Sequence, residues 1–483
     1  MKNRKNCLIL LISIIIPLLF SGCVYKRAIV PPATAAPTST TVVVTPAPTN
    51  PPTATPTSEP VAVATDAPAH VPDITAAPTV QPTETPATTK VPAATVVPAD
   101  TPAPEDTGDW YQYMLDTSIL SEGTNGRLEQ VLDKINRGEE ITVFTIGGSI
   151  TEGAGARNFT YSYTDQFVNR LLNAYPDSNM HYYNSGLGGT PSTLGLMRYE
   201  RDVVAIMKGD PDLVIIEFAV NDYQEPTNAR AYESLVRTIL EKENTPAVIL
   251  LFSVFESKWN MQEQYISIGN HYGLPMVSIR DAIATAYTGG NLTDKEFFAD
   301  IYHPTDYGHA IMADCLMELC TRVGAKGAVN IAPIPETDAR GCDFMDLRLV
   351  TASDNAGAVI TPGSFTGKDN ALQTYSRTAK AVFPDNWMHT TDGGTDSFKV
   401  ELTCKNILLS YKFSSSTSFG KVCVYIDGKF VTTLNGYLKG GWNNIETVLL
   451  LDEDTAAPHV LELKPAEGHE AKNFTVLAIG YTP

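Results

Sequence analysis

From residue 31 to residue 107 the chain contains no phenylalanine, tryptophan or tyrosine, yet this stretch carries 18 of its 33 prolines. With no aromatic side chains, and with proline set among threonine, alanine and valine, it cannot bury enough apolar surface to offset its ordering entropy. A packed domain is excluded there, and an extended tether rich in polyproline II is expected. At about 3.1 Å per residue, roughly 77 residues would reach on the order of 240 Å at full extension. Basic charge is also scarce: 35 Lys and Arg stand against 54 Asp and Glu, for a net charge of -19. That excludes nucleic acid as a partner, because phosphate recognition needs basic patches. It also makes an anionic membrane surface unsuitable for docking the folded part. Cysteine is limited to Cys7, Cys23, Cys315, Cys320, Cys342, Cys404 and Cys423. No C-x-x-C spacing occurs, so neither a metal ligand set nor a disulfide scaffold is indicated. Cys315 and Cys320 read as buried residues of a helix; pairing of Cys404 with Cys423 across two strands stays open.

The first residues read as an export segment. Lys2, Arg4 and Lys5 form a basic start, and residues 8–20 form an apolar run too short to span a bilayer comfortably. Ser21-Gly22-Cys23 follows, which resembles a bacterial lipoprotein cleavage site and implies lipidation at Cys23. An ordinary secretory signal or a short uncleaved anchor is the alternative. The expected organisation is therefore a lipoprotein-type signal over 1–23, a disordered Pro/Thr-rich linker over 24–107, an α/β domain over 108–330 and an all-β domain over 335–483. Its expected location is the bacterial cell surface, held to the membrane through the lipid anchor alone.

Within the α/β segment, continuous apolar strands alternate with helices. Strands are expected over 141–146, 181–184, 212–218, 247–252 and 275–278. Helices are expected over 162–174, 192–208, 232–243, 261–271 and 307–323. This order predicts a flavodoxin-like parallel sheet with helices on both faces, and chemistry at the carboxyl ends of its strands. After about residue 333, short strands are expected over 398–402, 407–413, 421–426, 429–434, 446–451, 459–463 and 474–479. Asp427-Gly428 is a hairpin signal, and the spacing predicts a β-sandwich.

Four blocks carry the chemistry. Gly147-Gly148-Ser149 follows the first strand, where a hydroxyl nucleophile would sit on a sharp turn. Asn184-Ser185-Gly186-Leu187-Gly188-Gly189-Thr190 and Ala219-Val220-Asn221-Asp222 follow two further strands. Asp300-Ile301-Tyr302-His303-Pro304 places a carboxylate three residues before an imidazole. In this order the blocks resemble the SGNH (GDSL-like) hydrolase superfamily over roughly residues 141–323. The resemblance implies Ser149 as nucleophile, His303 as general base and acid, and Asp300 as the group that orients the imidazole. It implies an oxyanion hole from the Ser149 and Gly189 backbone N–H groups and the Asn221 amide, with Gly188 as the alternative if the second block is offset by one. Gly148 stands where aspartate is frequent, and Ala219 where glycine is; neither removes a reacting group. Such a triad needs no cofactor and no metal.

Plainer readings exist for each residue. Ser149 can cap a helix, and Asn221-Asp222 can form a simple turn. Arg198, Arg201 and Asp202 read as a solvated helix face, and Asp452-Glu453-Asp454 as a solvated turn. His271, His309 and His459 read as structural or exposed, while Arg157 lies near the nucleophile turn. Tyr425, Tyr437, Trp442 and Trp387 can stack on sugar rings, though core packing is the plainer role. The expected function is a cell-surface esterase that removes small acyl groups, chiefly acetyl, from extracellular polysaccharide. A glycan O-acyltransferase with the same triad, a non-catalytic carbohydrate-binding surface protein and a lipase are the alternatives.

Overall fold

The computed structural model describes residues 108–483 apart from Lys208 and Gln224. The expected export segment, the lipidation candidate Cys23 and the tether lie outside these residues. The first sheet contains β1 (Ile119–Glu122), β2 (Glu140–Gly147), β3 (Asn179–Gly186), β4 (Leu213–Glu217), β5 (Ala247–Phe252) and β6 (Pro275–Ser278). Their order is β1-β6-β5-β4-β2-β3. β2 to β6 pair in parallel, with Phe144 opposite both Tyr183 and Val214, and Ile215 opposite Ile249. β1 is an antiparallel edge against β6.

The period-2 alternation of strand side chains divides the apolar residues between two faces. Val143, Leu213, Ile215, Ile249 and Leu251 pack on one face beneath helices Gly108–Ser118, Arg127–Asn136, Tyr163–Ala174, Ile279–Thr288 and Asp306–Gly324. Phe144, Ile146, Val214, Ile216, Val248 and Leu250 pack on the other beneath helices Ser192–Tyr199, Arg230–Leu240 and Gln262–His271. The helix expected over 192–208 is interrupted: a π-helical turn, Glu200–Val204, separates Ser192–Tyr199 from Ala205–Met207.

The second sheet comprises β7 (Arg348–Val350), β8 (Val359–Thr361), β9 (Trp387–His389), β10 (Phe398–Ser414), β11 (Lys421–Ile426), β12 (Lys429–Asn435), β13 (Trp442–Pro465) and β14 (Phe474–Thr482). The strands expected over 398–402 and 407–413 are one strand, as are those over 446–451 and 459–463. The reason is a shared corner. Cys404 pairs with Ala457 and Asn406 with Asp452, which leaves residues 453–456 unpaired between them. Both long strands turn there and serve two layers. The first halves of β10 and the second half of β13 lie with β8, β11 and β12; the remaining halves lie with β14. Phe398, Val400, Leu461 and Leu463 share one core with Leu409, Tyr411, Val476 and Ile479, forming a sandwich. Asp452 is exposed, as expected, but lies on β13 and not in a turn; it pairs with Arg230 and accepts a hydrogen bond from Asn406. Cys404 and Cys423 are both free thiols.

The sandwich is joined to the parallel sheet and its helices through side chains. Leu408, Ile445, Leu477 and Ala478 belong to the same apolar cluster as Met197, Leu235 and Phe344. This contact explains Arg198, which is fully buried and not on a solvated face. Its guanidinium donates to Ser185 Oγ and to Ser185 O (2.6 Å). Burial lowers its pKa to about 10. The connecting segment is held by Glu233, a fully buried carboxylate that accepts from the N–H groups of Ala339 (2.6 Å), Arg340 and Gly341 (2.9 Å) and from Tyr272 OH (2.8 Å). Glu233→Ala leaves all four donors without this acceptor and is expected to lower stability by about 1–3 kcal/mol. Denaturant unfolding that moves by less than the measurement error would contradict that anchoring role.

Candidate active site

The three loops after β2, β3 and β4 open at the same edge of the sheet, as carboxyl ends of neighbouring parallel strands must. β2 ends at Gly147, and Ser149 begins a single helical turn, Ser149–Glu152. The Asn221 carboxamide occupies the space that a side chain at Gly148 would need. Glycine at 148 is therefore what lets the third block approach the first. Asn221 Oδ1 is buried without a hydrogen-bond partner. The second block bends at Gly189, which has φ +66 and is exposed. Trp442 of β13 closes over this bend, with its ring 3.4 Å from the position of a Gly189 Cβ. Of the four aromatic residues read as sugar-stacking candidates, Trp442 is the one at this site; Trp387 is buried in the sandwich core.

His303 arrives from a tight loop. Ala299 N–H donates to His303 O (2.8 Å), and Phe298 and Pro304 form a bridge. Within it the Asp300 carboxylate accepts from the backbone N–H of Tyr302 (2.8 Å) and of His303 (3.0 Å). The imidazole Nδ1 lies 2.9 Å from Asp300 Oδ2, and Nε2 lies 2.9 Å from Ser149 Oγ. Burial raises the Asp300 pKa, but the hydrogen bonds and charge of His303 and the Tyr302 N–H outweigh it, so the carboxyl sits below its ordinary value. An ionised carboxylate on Nδ1 fixes the tautomer with Nε2 free to take a proton from the serine. The structure thus brings together Ser149, His303 and Asp300, with Asn221 packed against Gly148. Gly188 N–H is engaged, donating to Glu152 Oε2 (2.8 Å). Among the described residues no acceptor is seen for the N–H groups of Ser149 and Gly189.

Two buried carboxylates hold these loops: Asp222, part of the third block, and Glu217, which carried no motif signal. Glu217, at the end of β4, accepts from Thr151 Oγ1 (2.9 Å) on the Ser149 turn and from Ser253 Oγ after β5. Burial raises its pKa from 4.5 to about 7 despite these bonds. Asp222 accepts from Ser192 N–H (2.7 Å), at the start of the helix that follows the second block, and from Tyr265 OH. Burial and the charge of Glu225 raise it to about 7. His309 is buried between Ala154 O (3.0 Å) and Tyr163 N–H, and burial lowers it to about 4. Arg157 is paired with Asp306 next to the site. Glu233, Asp338 and Cys342 lie within metal-ligand distance of one another, but the Glu233 oxygens already serve the linker donors.

An aromatic arc runs from beside His303. Tyr302 neighbours the His303 ring (6.1 Å between centroids) and meets Phe255 (5.1 Å); Phe255 stacks on Trp259 (6.0 Å). Trp259 meets Tyr223 (5.6 Å), an exposed residue two positions after Asn221. The sequence carried no spacing signal for this arc, because its members come from three separate loops.

Residues 145–311 match the model of the GDSL-like Lipase/Acylhydrolase family. No curated protein sequence matches the chain. A solved two-domain esterase (CEX) active on acetylated mannans is 26% identical, with a TM-score of 0.66 over 76% of this chain and 99% of that one. Its complex co-crystallised with mannopentaose gives 25% identity and a TM-score of 0.65, over 76% and 98%.

The raised Glu217 pKa has a stability consequence of definite sign. Below about pH 4.5 the group is protonated in folded and unfolded chains alike. Between 4.5 and about 7 the unfolded chain ionises while the folded one does not, so stability is lost as pH rises through this window and then levels off. Glu217→Gln lacks this loss, so its stability relative to the parent is expected to rise from pH 5 to pH 8. Denaturant melts of both proteins at the two pH values check this; a constant difference contradicts it.

Proposed function

We propose that this chain, a carboxylic ester hydrolase with a GDSL-like catalytic domain, removes acetyl groups from a polysaccharide of the mannan class by serine catalysis. The observation that carries the reading is the hydrogen-bonded line Ser149 Oγ–His303 Nε2, His303 Nδ1–Asp300. Ser149 Oγ attacks the acetyl carbonyl while His303 Nε2 takes its proton. The oxyanion meets the N–H groups of Ser149 and Gly189 and the Asn221 amide. His303 then protonates the leaving sugar hydroxyl, and the acyl-serine is hydrolysed by a water deprotonated at the same nitrogen. Acetate leaves and the serine regains its proton.

The substrate class is argued from two features. The two-domain relatives act on acetylated mannans and align over both domains of this chain. The arc Tyr302–Phe255–Trp259–Tyr223 adjoins His303 and Trp442 adjoins Gly189, aromatic faces suited to pyranose rings. The charge and basic start of residues 1–23, Cys23 and the proline-rich tether support display outside the membrane, where such polymers are met.

Acetate release from acetylated mannan is expected to exceed release from acetylated xylan and to vanish in Ser149→Ala; equal release by parent and variant would refute serine catalysis. Asn221→Ala is expected to lower kcat by about 10²–10³ while altering KM little. Trp259→Ala is expected to raise KM for acetylated manno-oligosaccharides about tenfold, equivalent to about 1.4 kcal/mol. It should leave turnover of p-nitrophenyl acetate, which has no sugar ring, near the parent value. Equal losses on both substrates would remove the arc from glycan recognition.

A further inference from the structure

The Gly188–Gly189 peptide is gripped from the sandwich domain, by residues 372–382 of the loop between β8 and β9. This finger folds back on itself, with Val382 N–H donating to Gln373 O (3.1 Å) and Tyr375 N–H to Lys380 O (3.0 Å). Its base is fixed by a buried ion pair of Lys412 and Asp369, whose carboxylate also accepts from Ala371 N–H (2.9 Å) and Thr475 Oγ1 (2.7 Å). Val382 and Phe383 anchor it in the apolar cluster shared by both domains.

At its root, Gln373 Nε2 donates to Gly188 O (2.8 Å), and Gln373 Oε1 accepts from Ile445 N–H (3.1 Å) on β13. Gln373 is buried, so its amide is held at both ends. Ser376 donates through both Oγ and N–H (3.3 Å) to Glu152 Oε1, whose other oxygen accepts from Gly188 N–H. Both polar atoms of Gly188 are therefore tied, one directly and one through Glu152, to the same finger.

The carbonyl of Gly188 and the N–H of Gly189 belong to one peptide unit. In a planar trans peptide these two groups point in opposite directions. Holding the carbonyl toward Gln373 thus turns the Gly189 N–H away from the finger, toward the open side of the site. Two successive glycines offer little resistance to rotation of this plane, and a flip would present a carbonyl where an oxyanion forms. A hydrogen bond to the carbonyl also polarises the amide and strengthens its N–H as a donor.

We propose that Gln373 is a positioning residue for catalysis: the sandwich domain, through this side chain, aims the Gly189 N–H at the transition-state oxyanion, with Ser376 and Glu152 bracing the same turn. The inference rests on Ser149 as nucleophile but is independent of the glycan. Loss of p-nitrophenyl acetate turnover in Ser149→Ala tests that premise separately.

The test uses the full chain, p-nitrophenyl acetate, and phenylboronic acid as a tetrahedral adduct former on the serine. Gln373→Met keeps the length and removes both hydrogen bonds. It is expected to lower kcat about 10–100-fold, less than or comparable to loss of a donor, with KM within about threefold. The inhibition constant for phenylboronic acid should rise by a similar factor, while that for acetate stays constant. Ser376→Ala should show the same signature at about 3–10-fold. Tyr375→Phe, which removes a bond from the same finger to Asp202, should leave kcat unchanged. A parent-like kcat in Gln373→Met, or in Ser376→Ala should the first variant not fold, overturns the proposal. So does a fall in kcat without weaker boronate binding, or an equal fall in Tyr375→Phe.

Discussion

The contact between Ser149 and His303 joins residues 154 positions apart at 2.9 Å, and most of the α/β fold serves to hold it. Ser149 is fixed by β2 through the turn that begins at Gly147. His303 is fixed by a loop whose own backbone bonds, Ala299 to His303 and Thr305 to Phe297, precede the helix Asp306–Gly324. That helix packs on the face of the sheet opposite the sandwich, and the serine turn lies at the sheet edge between the two faces. A small shift of either would separate Ser149 Oγ and His303 Nε2 by more than a hydrogen bond tolerates. Asp300 differs in kind: it orients the imidazole from three residues away and needs no distant element. Its exposure to solvent is offset by the two backbone N–H groups that fix it locally.

The second domain enters this arrangement as part of the core. One face of the parallel sheet is covered by helices alone. The other shares its cluster with Leu408, Ile445, Leu477 and Ala478 of the sandwich. Arg198, Asp202 and Tyr375 show the same continuity in polar form, with Arg198 buried under the junction and Asp202 accepting from Tyr375 OH. Burial of both apolar and polar groups at one junction leaves few ways for the domains to shift without exposing an unpaired charge. The position of Trp442 and Gln373 over the second block follows from that junction.

The parts legible in the sequence were those with local signatures. β5 and β6 were read to the residue, because continuous Val, Ile and Leu runs between turn signals define buried strands. The hairpin of β11 and β12 followed from Asp427-Gly428. Helix Arg127–Asn136 was missed although Leu128, Val131, Leu132 and Ile135 have helical spacing. The corner shared by β10 and β13 was illegible, since Asp452-Glu453-Asp454 reads as a turn until Arg230 is brought beside it from 222 residues away. In the site, the loops of Ser149, Asn221, Asp300 and His303 were legible as motifs, whereas Gln373, Glu217 and the aromatic arc were not. Their roles exist only through contacts between segments with no fixed spacing.

The supports beneath the site are carboxylates, although leucine-like residues would bury more cheaply. Glu217 joins the Ser149 turn to the loop after β5, Asp222 joins the Asn221 loop to the helix after the second block, and Glu152 joins the Ser149 turn to Gly188. Each accepts from two different chain segments at once, which an apolar side chain cannot do with directional preference. Burial opposes ionisation at all three. What the molecule gains is angular definition: each carboxylate fixes the direction of an N–H or O–H on a loop that would otherwise rotate about glycine. The polar supports therefore lie directly under the loops of Ser149, Gly188 and Asn221, and the apolar packing lies one layer further out, between the sheet and its helices.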